Sequence, residues 1–418
     1  MSVTRLNFSI ARKVLLYSIA IGTIFVSGYG LGSNGFKLET GSFPKIKISR
    51  EVPDNRDIDF GLFWRIWDTI DVSYYDKSKI SPQKMVYGAI SGMVGALGDP
   101  YTAFLPPEEN KVVEEDLSGS FEGVGIQIGF KGKNLAVIAP LPKSPAEKAG
   151  LKAGDLIVGI VDTNKKIETT TSGMNLNDAV KIIRGKAGTK VTLVLLRGDS
   201  TETFKKEIVR EAIDVPSVTV SYVSPPEGEA GNIAHIKLIK FGADTNAEWQ
   251  AAVAQVVGNR VQVTGIVLDL RNNPGGYLQS SVDIAGEFVK KDSVIVVEDR
   301  GLTKNNFKTD RTGNFQNMKV VILVNGGSAS ASEILAGALS EINGYKLIGE
   351  KTFGKGTIQE PMQLDKGSSL HITTARWLTP KGNWIHEKGI TPDVEIKDNE
   401  ETEEDEQLVE AIKIVNSK

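Results

Sequence analysis

The sequence predicts a multidomain protein of mixed class, with an N-terminal helical segment, a β-rich module and an α/β core. Three observations predict it. At 418 residues the chain is longer than one ordinary core accommodates. Residues 116 to 212 form short apolar runs punctuated by Gly and Pro, the pattern of a small β module. From about 230 to 395, continuous apolar strands alternate with helical stretches, as in a buried sheet covered by helices.

Composition narrows the chemistry. Hydrophobic residues are 40%, charged residues 24%, and the net charge is -3, so nothing electrostatic points to a nucleic-acid partner. Cysteine is absent, which excludes disulfides, a thiol nucleophile and cysteine-ligated metal. Catalysis would then use oxygen or nitrogen nucleophiles. The three histidines, His235, His371 and His386, show no zinc-ligand spacing and read as strand or loop residues. No metal and no cofactor is expected.

At the N-terminus, Arg5, Arg12 and Lys13 precede an uncharged run from Val14 to Leu31. No small-x-small cleavage site follows, so residues 1–35 read as an uncleaved signal-anchor in the cytoplasmic membrane, with the remainder exported. Residues 55–115 read as a helical cap domain. Phe60, Phe63, Trp64, Trp67 and Ile70 recur with helical spacing, an aromatic stripe expected to be core or a dimerising surface. Gly98-Asp99-Pro100-Tyr101 then breaks the helix and starts a turn.

In the β module, Ser144-Pro145-Ala146-Glu147 is a capping box with proline at the first helical position, and Gly150 closes that helix. A second helix is expected from Leu176 to Ile183, stopping at Gly185, and a strand from Val191 to Leu196. Together, SPAEKAGLKAGDLIVGI and IIRGKAGTKVTLVLLR resemble a PDZ domain across nearly all of 116–212. In such domains a glycine-rich loop offers backbone N–H groups to a terminal carboxylate, and the peptide adds as a strand beside it. Phe121-Glu122-Gly123-Val124-Gly125-Ile126 is similar to that loop, which implies that Gly123, Val124, Gly125 and Ile126 receive the C-terminus of a protein tail. A strand-entry turn with no ligand is the competing reading.

Further on, Gly265 to Leu270 and Lys319 to Val324 read as buried strands, with helices at Tyr277 to Phe288 and Ala331 to Leu339. Three motifs lie on the loops that leave such strands: Arg271-Asn272-Asn273-Pro274-Gly275-Gly276, NGGSASASEILAGAL from Asn325, and Thr352-Phe353-Gly354-Lys355-Gly356-Thr357-Ile358-Gln359. Ser328, Ser330 and Ser332 all sit at a helix start, where free N–H groups favour a developing negative charge. Residue chemistry does not choose among them, and Ser330 with Glu333 also fits a capping box.

The module and the three motifs, in this order, resemble the carboxyl-terminal processing proteases of the S41 serine peptidase family over roughly residues 55 to 395. The resemblance implies a crotonase- or ClpP-like α/β protease core at 213–395 with a Ser-Lys dyad. It places the nucleophile at Ser330 and the base at Lys355, at the expected interval, with Gln359 orienting the amine. The oxyanion hole would combine the Ala331 N–H with one from Gly275 or Gly276. A lysine at its ordinary pKa is neutral in only about one molecule in 2,500 at pH 7, so Lys355 must be desolvated to work.

The implied activity is a serine endopeptidase acting on flexible protein C-termini through an acyl-enzyme, assembled as a homo-oligomer. The alternatives are an inactive PDZ adaptor on a protease fold, and an acyl-CoA enzyme, which would have no use for a PDZ domain. Where the family often carries an aspartate after the nucleophile helix, this chain has Glu341. The tail at 396–418 is an acidic run followed by Leu408, Ile412 and Val415 at helical spacing. It reads as a short docking helix, with Thr402 and Asp405 together fitting a cap, and a subunit contact as one place for it.

Overall fold

The uncharged run behind Lys13 lies in one long helix, α1, spanning Phe8–Ser33. A computed structural model describes residues 8–33, 36–40, 46–50, 59–132, 134–141, 143–174, 176–198, 200, 202–224, 231–259, 262–397 and 404–417, with side chains before residue 59 described only over 16–29. Those side chains of α1 are exposed, Leu16 and Tyr29 at its two ends included. Among the described residues, no helix is long and apolar enough to cross a membrane. The chain divides into two compact units, Met1–Val86 and Tyr87–Lys418.

In the first unit α1 is followed by an antiparallel hairpin of β1 (Phe36–Thr40) and β2 (Ile46–Arg50), then by α2 (Gly61–Ser73). The division between the units falls inside α3 (Pro82–Gly95). The aromatic stripe of α2 is not core. No residue of that helix is buried, and the rings of Phe60, Phe63, Trp64 and Trp67 pack on one another, with centroids 5.1 to 6.1 Å apart. Helical spacing identified the shared face, on which Phe63 and Trp67 are half-buried and Trp64 is exposed.

The second unit opens with β3 (Ala103–Leu105) and α4 (Pro107–Ser118), and both are fastened to strands more than 250 positions away. Asn110 of α4 is buried, donating to the Gly367 carbonyl and accepting from the Ser369 hydroxyl. The β module is entered and left through a two-stranded ribbon, β4 (Ser120–Gly123) against β11 (Glu211–Asp214). Between them lie β5 (Ile126–Lys131), β6 (Asn134–Pro140), α5 (Pro145–Lys148), β7 (Leu156–Asp162), β8 (Ile167–Thr170), α6 (Leu176–Ile183), β9 (Lys190–Leu196) and β10 (Phe204–Val209). Their sheet runs β10-β9-β7-β6-β5, with β8 beside β7 and β5 at an edge. Its apolar centre includes Val137, Ile157, Ile160, Leu193 and Leu195, with Ala179 and Ile183 of α6 packed on it.

The α/β core comprises β12 (Val218–Val223), β13 (Asn232–Leu238), α7 (Thr245–Gly258), β14 (Val263–Asp269), α8 (Leu278–Ala285), β15 (Val294–Asp299), β16 (Lys304–Lys308), β17 (Lys319–Val324), α9 (Ala331–Asn343), β18 (Lys346–Gly349), β19 (Thr357–Gln363), β20 (Ser369–Leu378), β21 (Val394–Glu395) and α10 (Glu406–Asn416). One sheet is ordered β12-β13-β14-β17-β18-β21 and is parallel from β13 onward. Both faces are covered, which is why its strands read as unbroken apolar runs. Residues of α7, α8 and α9 bury one face together with Phe288 and Phe315. On the other face, Ala411, Ile412 and Val415 of α10 meet Ile233, Val267, Val321, Leu323 and Ile348. The tail is thus a docking helix within the chain. Asp405 caps it by accepting the Leu408 N–H, while Thr402 lies outside the described residues. A second, antiparallel sheet runs β16-β15-β20-β19, with β3 also on β20.

Candidate active site

Three neighbouring parallel strands, β14, β17 and β18, deliver the three motifs to one end of the sheet. Loops at the carboxyl ends of such strands are where an α/β fold gathers reacting groups. After β14 the chain makes the 271–276 loop; after β17 it makes 325–330 and enters α9; after β18 it makes 350–356 and enters β19.

The serines separate once their surroundings are known. Ser328 and Ser332 are fully buried, and their hydroxyls donate to the carbonyls of Leu270 and Asn273 at 2.8 Å each. They stitch the helix start to the 271–276 loop. Ser330 is only half-buried and makes no hydrogen bond to that loop. Its backbone is in a strained region, φ 54° and ψ -115°, rare for a residue with a Cβ. The expected capping box is present, with the Ser330 N–H donating to Glu333 at 3.0 Å.

Glu333 does more than cap. Fully buried, its carboxylate also accepts from the Thr352 hydroxyl at 2.5 Å, the Gly354 N–H at 2.7 Å and the Lys355 N–H at 2.9 Å. One side chain therefore holds the Ser330 turn and the Lys355 loop in register. The sequence showed Glu333 only as a cap, because its other partners lie about 20 residues away across a strand.

The glycine loop packs directly on the serine turn. A Cβ at Gly275, whose φ is +98°, would lie 2.8 Å from the Ser330 Cβ and 3.0 Å from the Ala331 nitrogen. At Gly276, φ +137°, it would strike the Phe241 carbonyl oxygen at 2.1 Å. Glycine is required at both positions by contact as well as by backbone angle. The Gly275 N–H is already used, donating to Asn273 Oδ1 at 2.9 Å. Among the described residues, the N–H groups of Gly276 and Ala331 have no partner. Asn273 itself is buried and donates to the Leu238 carbonyl, and Arg271 anchors the loop from below. Its guanidinium bonds Asp269 and also Asp405 at the start of α10. Burial alone would raise the Asp269 carboxyl, but its bonds with His235 and Arg271 outweigh that and hold it far below the usual carboxylate range.

Lys355 is half-buried, and burial lowers its pKa from the ordinary 10.5, opposed by the charge of Asp99. Its Nζ lies 5.2 Å from the centroid of the Tyr101 ring, and among the described residues it makes no hydrogen bond to Ser330. Gln359 is on β19, and its amide donates to the hydroxyls of Thr357 and Thr373 at 2.9 and 3.2 Å instead of meeting Lys355. Thr373 also bonds Asp99, so Gln359 reaches the lysine's surroundings through a relay. Glu341, in place of the family's usual aspartate, accepts from Thr379, Lys381 and Asn383 and fixes a turn.

In the β module, Gly123 ends β4, Ile126 begins β5, and Val124 and Gly125 link them. Val124, Gly125 and Ile126 line a groove with Phe121, Leu176 and Ile183 beside the edge strand β5, and Gly123 is not among its lining residues. Gly125 has φ +71°, and a Cβ there would fall 2.3 Å from the Ser144 Cβ. The Val124 and Gly125 N–H groups have no partner among the described residues.

Comparison with known proteins accounts for both regions. The profile of peptidase family S41 matches residues 232–396, and that of the PDZ domain matches 137–197. The carboxy-terminal processing protease CtpB of Bacillus subtilis (strain 168) is 33% identical over 390 residues, covering 92% of this chain and 78% of that protein. The chain belongs to peptidase family S41. A probable CtpA-like serine protease of Staphylococcus epidermidis (strain ATCC 12228 / FDA PCI 1200) is 38% identical over 333 residues, and the match spans 64% of its length. Among solved structures, a photosystem II D1 C-terminal processing protease aligns with a TM-score of 0.51 at 32% identity, covering 85% of this chain and 97% of that one. This S41 chain is thus a PDZ-containing serine peptidase of the carboxy-terminal processing type.

The partial burial that lowers the Lys355 pKa should carry a cost in stability while the amine is protonated. A lysine whose folded pKa lies below its unfolded value is penalised while charged, and the penalty fades as pH rises from the lowered value through 10.5. Lys355→Met should therefore melt higher than the parent at pH 7, by about 2 °C. The gap should close by pH 10 in paired calorimetric scans; a variant that melts lower at both pH values contradicts the desolvated lysine.

Proposed function

We propose that this peptidase docks the C-terminal tail of a flexible protein in its PDZ groove and cleaves the chain with a Ser330–Lys355 dyad. The observation that carries this reading is the Glu333 carboxylate, which joins the turn bearing Ser330 to the loop bearing Lys355. In the proposed reaction neutral Lys355 takes the Ser330 hydroxyl proton as Oγ attacks the scissile carbonyl. The oxyanion is met by the N–H groups of Ala331 and Gly276, both on preformed backbone. The Lys355 ammonium then protonates the leaving amine, and the amine so regenerated activates water against the acyl-enzyme. Rate should rise with pH as Lys355 loses its proton, since only the amine can act as base.

The domain limits that accompany this reading are 116–212 for the PDZ domain and 213–395 for the protease core. The substrate tail adds as a strand beside β5, with its carboxylate at Gly123 to Ile126. The Val14–Leu31 run acts as a signal-anchor that keeps the catalytic part on the outer side of the cytoplasmic membrane, and the protein works as a homo-oligomer. Support for the anchor is the uncharged run itself and its exposed helical face.

Offering the enzyme one flexible protein with a free apolar C-terminus and the same protein amidated there tests the docking step. Tethering can supply millimolar local concentrations, so at micromolar substrate the free-tailed protein should be cut about a hundredfold faster. Gly125→Val should remove that advantage while a short peptide is cleaved at nearly the parental rate. Equal cleavage of free and amidated tails by the parent would overturn the docking role.

A further inference from the structure

We propose that the Gly98–Thr102 turn is a positioning element of the peptidase site, in which the Tyr101 ring face and the Asp99 carboxylate receive the Lys355 head group. This rests on the reading of Lys355 as the base. The turn precedes both matched segments, which begin at residues 137 and 232, so nothing in the protease core alone supplies it.

The geometry is specific. Lys355 Nζ stands 5.2 Å from the Tyr101 centroid, within the roughly 6 Å reach of a cation–π contact. The ring is held edge-on to His386 at 5.9 Å, and His386 Nδ1 accepts the N–H of Gly356, the residue after the lysine. Asp99 Oδ1 accepts the Tyr101 N–H at 3.0 Å, and its Oδ2 accepts the Thr102 hydroxyl at 2.6 Å. That hydroxyl in turn accepts the Thr373 N–H, and the Thr373 side chain bonds both Asp99 and Gln359. Strand β3 then pairs with β20, Ala103 opposite His371. The turn is therefore clamped to both flanks of Lys355, at Gly356 and at Gln359.

The charges around the amine are assignable. Asp99 is the acid whose charge acts on Lys355, and although burial opposes its ionisation, its hydrogen bonds keep its carboxyl below the ordinary carboxylate value. On β20, His371 is pushed below its ordinary value by burial and by the lysine's charge, so it adds no cation near neutrality. Glu333 accepts the Lys355 N–H, and His386 faces Tyr101. Burial and the nearby acids Glu333, Glu387 and Asp99 push the Tyr101 phenol upward, so it stays protonated and acts through its ring face. Ring face and carboxylate favour the ammonium; burial favours the amine. A base that must take a proton and then return it needs both states within reach, and the turn supplies the half that favours the ammonium.

The test reads Lys355 directly. The full-length chain is pulsed with acetic anhydride across a pH series, and acetylation of Lys355 is followed by peptide mass spectrometry alongside kcat/KM for a short peptide. Tyr101→Leu should lower the Lys355 midpoint by about 0.5 pH unit, while Tyr101→Phe, which keeps the ring, should leave it in place. Asp99→Asn, which keeps an acceptor for the Tyr101 N–H, should also lower it, and the rising limb of kcat/KM should move with the midpoint. A merely structural turn would reduce rate or melting temperature without moving either. Unchanged midpoints in Asp99→Asn and Tyr101→Leu overturn the proposal, and if Tyr101→Leu does not fold, Asp99→Asn alone decides. Failure of the base reading would look different: Lys355→Met would retain turnover, whatever the turn variants do.

Discussion

Ser330→Ala is expected to abolish peptide hydrolysis, with a loss of about 10⁴-fold or more, while costing no more stability than a lost helix cap, about 1 kcal/mol. Lys355→Ala should match it, and the double variant should be no worse, because the two side chains act in one proton transfer. Lys355→Arg should be as inactive, since a guanidinium does not give up its proton near neutrality. The neighbouring serines behave oppositely. Ser328→Ala removes a fully buried hydroxyl that donates to the Leu270 carbonyl and accepts the Asn325 N–H, so it should lower the melting temperature and retain turnover. Steady-state rates and melting curves on the parent and the five variants check this. Robust turnover by purified Ser330→Ala would move the nucleophile elsewhere.

The second large effect is expected at Glu333. Its two oxygens serve four donors, from Ser330, Thr352, Gly354 and Lys355, in a fully buried place. Gln keeps the shape but turns one oxygen into an N–H₂ group facing donors, so about two bonds are lost and unpaired N–H groups stay buried. Hydrogen bonds to a charged group contribute about 1.5–3 kcal/mol each. Glu333→Gln should therefore lower stability by several kcal/mol and kcat by at least about a hundredfold, with KM for a short peptide little changed. Circular dichroism melts and kinetics below the melting range separate the two losses. A variant with parental kcat would show that the serine turn and lysine loop hold their register without this carboxylate.

Much of this was legible because each motif carries its own punctuation. Ser144-Pro145 with Gly150 announces a short helix, and α5 begins at Pro145 with Ser144 as its cap. The apolar runs at 265–270 and 319–324 read as buried strands since both faces of the parallel sheet are covered. Local pattern did not reveal partners distant in sequence. Glu333 looked like a cap because the spacing to Ser330 is local, while Gly354 and Lys355 reach it only after β18 returns along the sheet. Asp99-Pro100-Tyr101 looked like a turn and is one, but its meeting with Lys355 depends on β3 pairing with β20. The core reading of the α2 stripe did not hold for the converse reason: periodicity reports which residues share a face, and says nothing of what lies against it. Gln359 illustrates the limit of a family pattern, since its amide engages Thr357 and Thr373 in this structure.

The dyad is tested most directly by the acyl-enzyme. A slowly deacylated peptide ester is mixed with the enzyme, quenched in acid within one turnover, digested and mapped by mass spectrometry. An acyl group is expected on Ser330, present in the parent, absent in Ser330→Ala and absent in Lys355→Met. An acyl group on Ser328 or Ser332, or turnover with no covalent intermediate on any of the three serines, would contradict it.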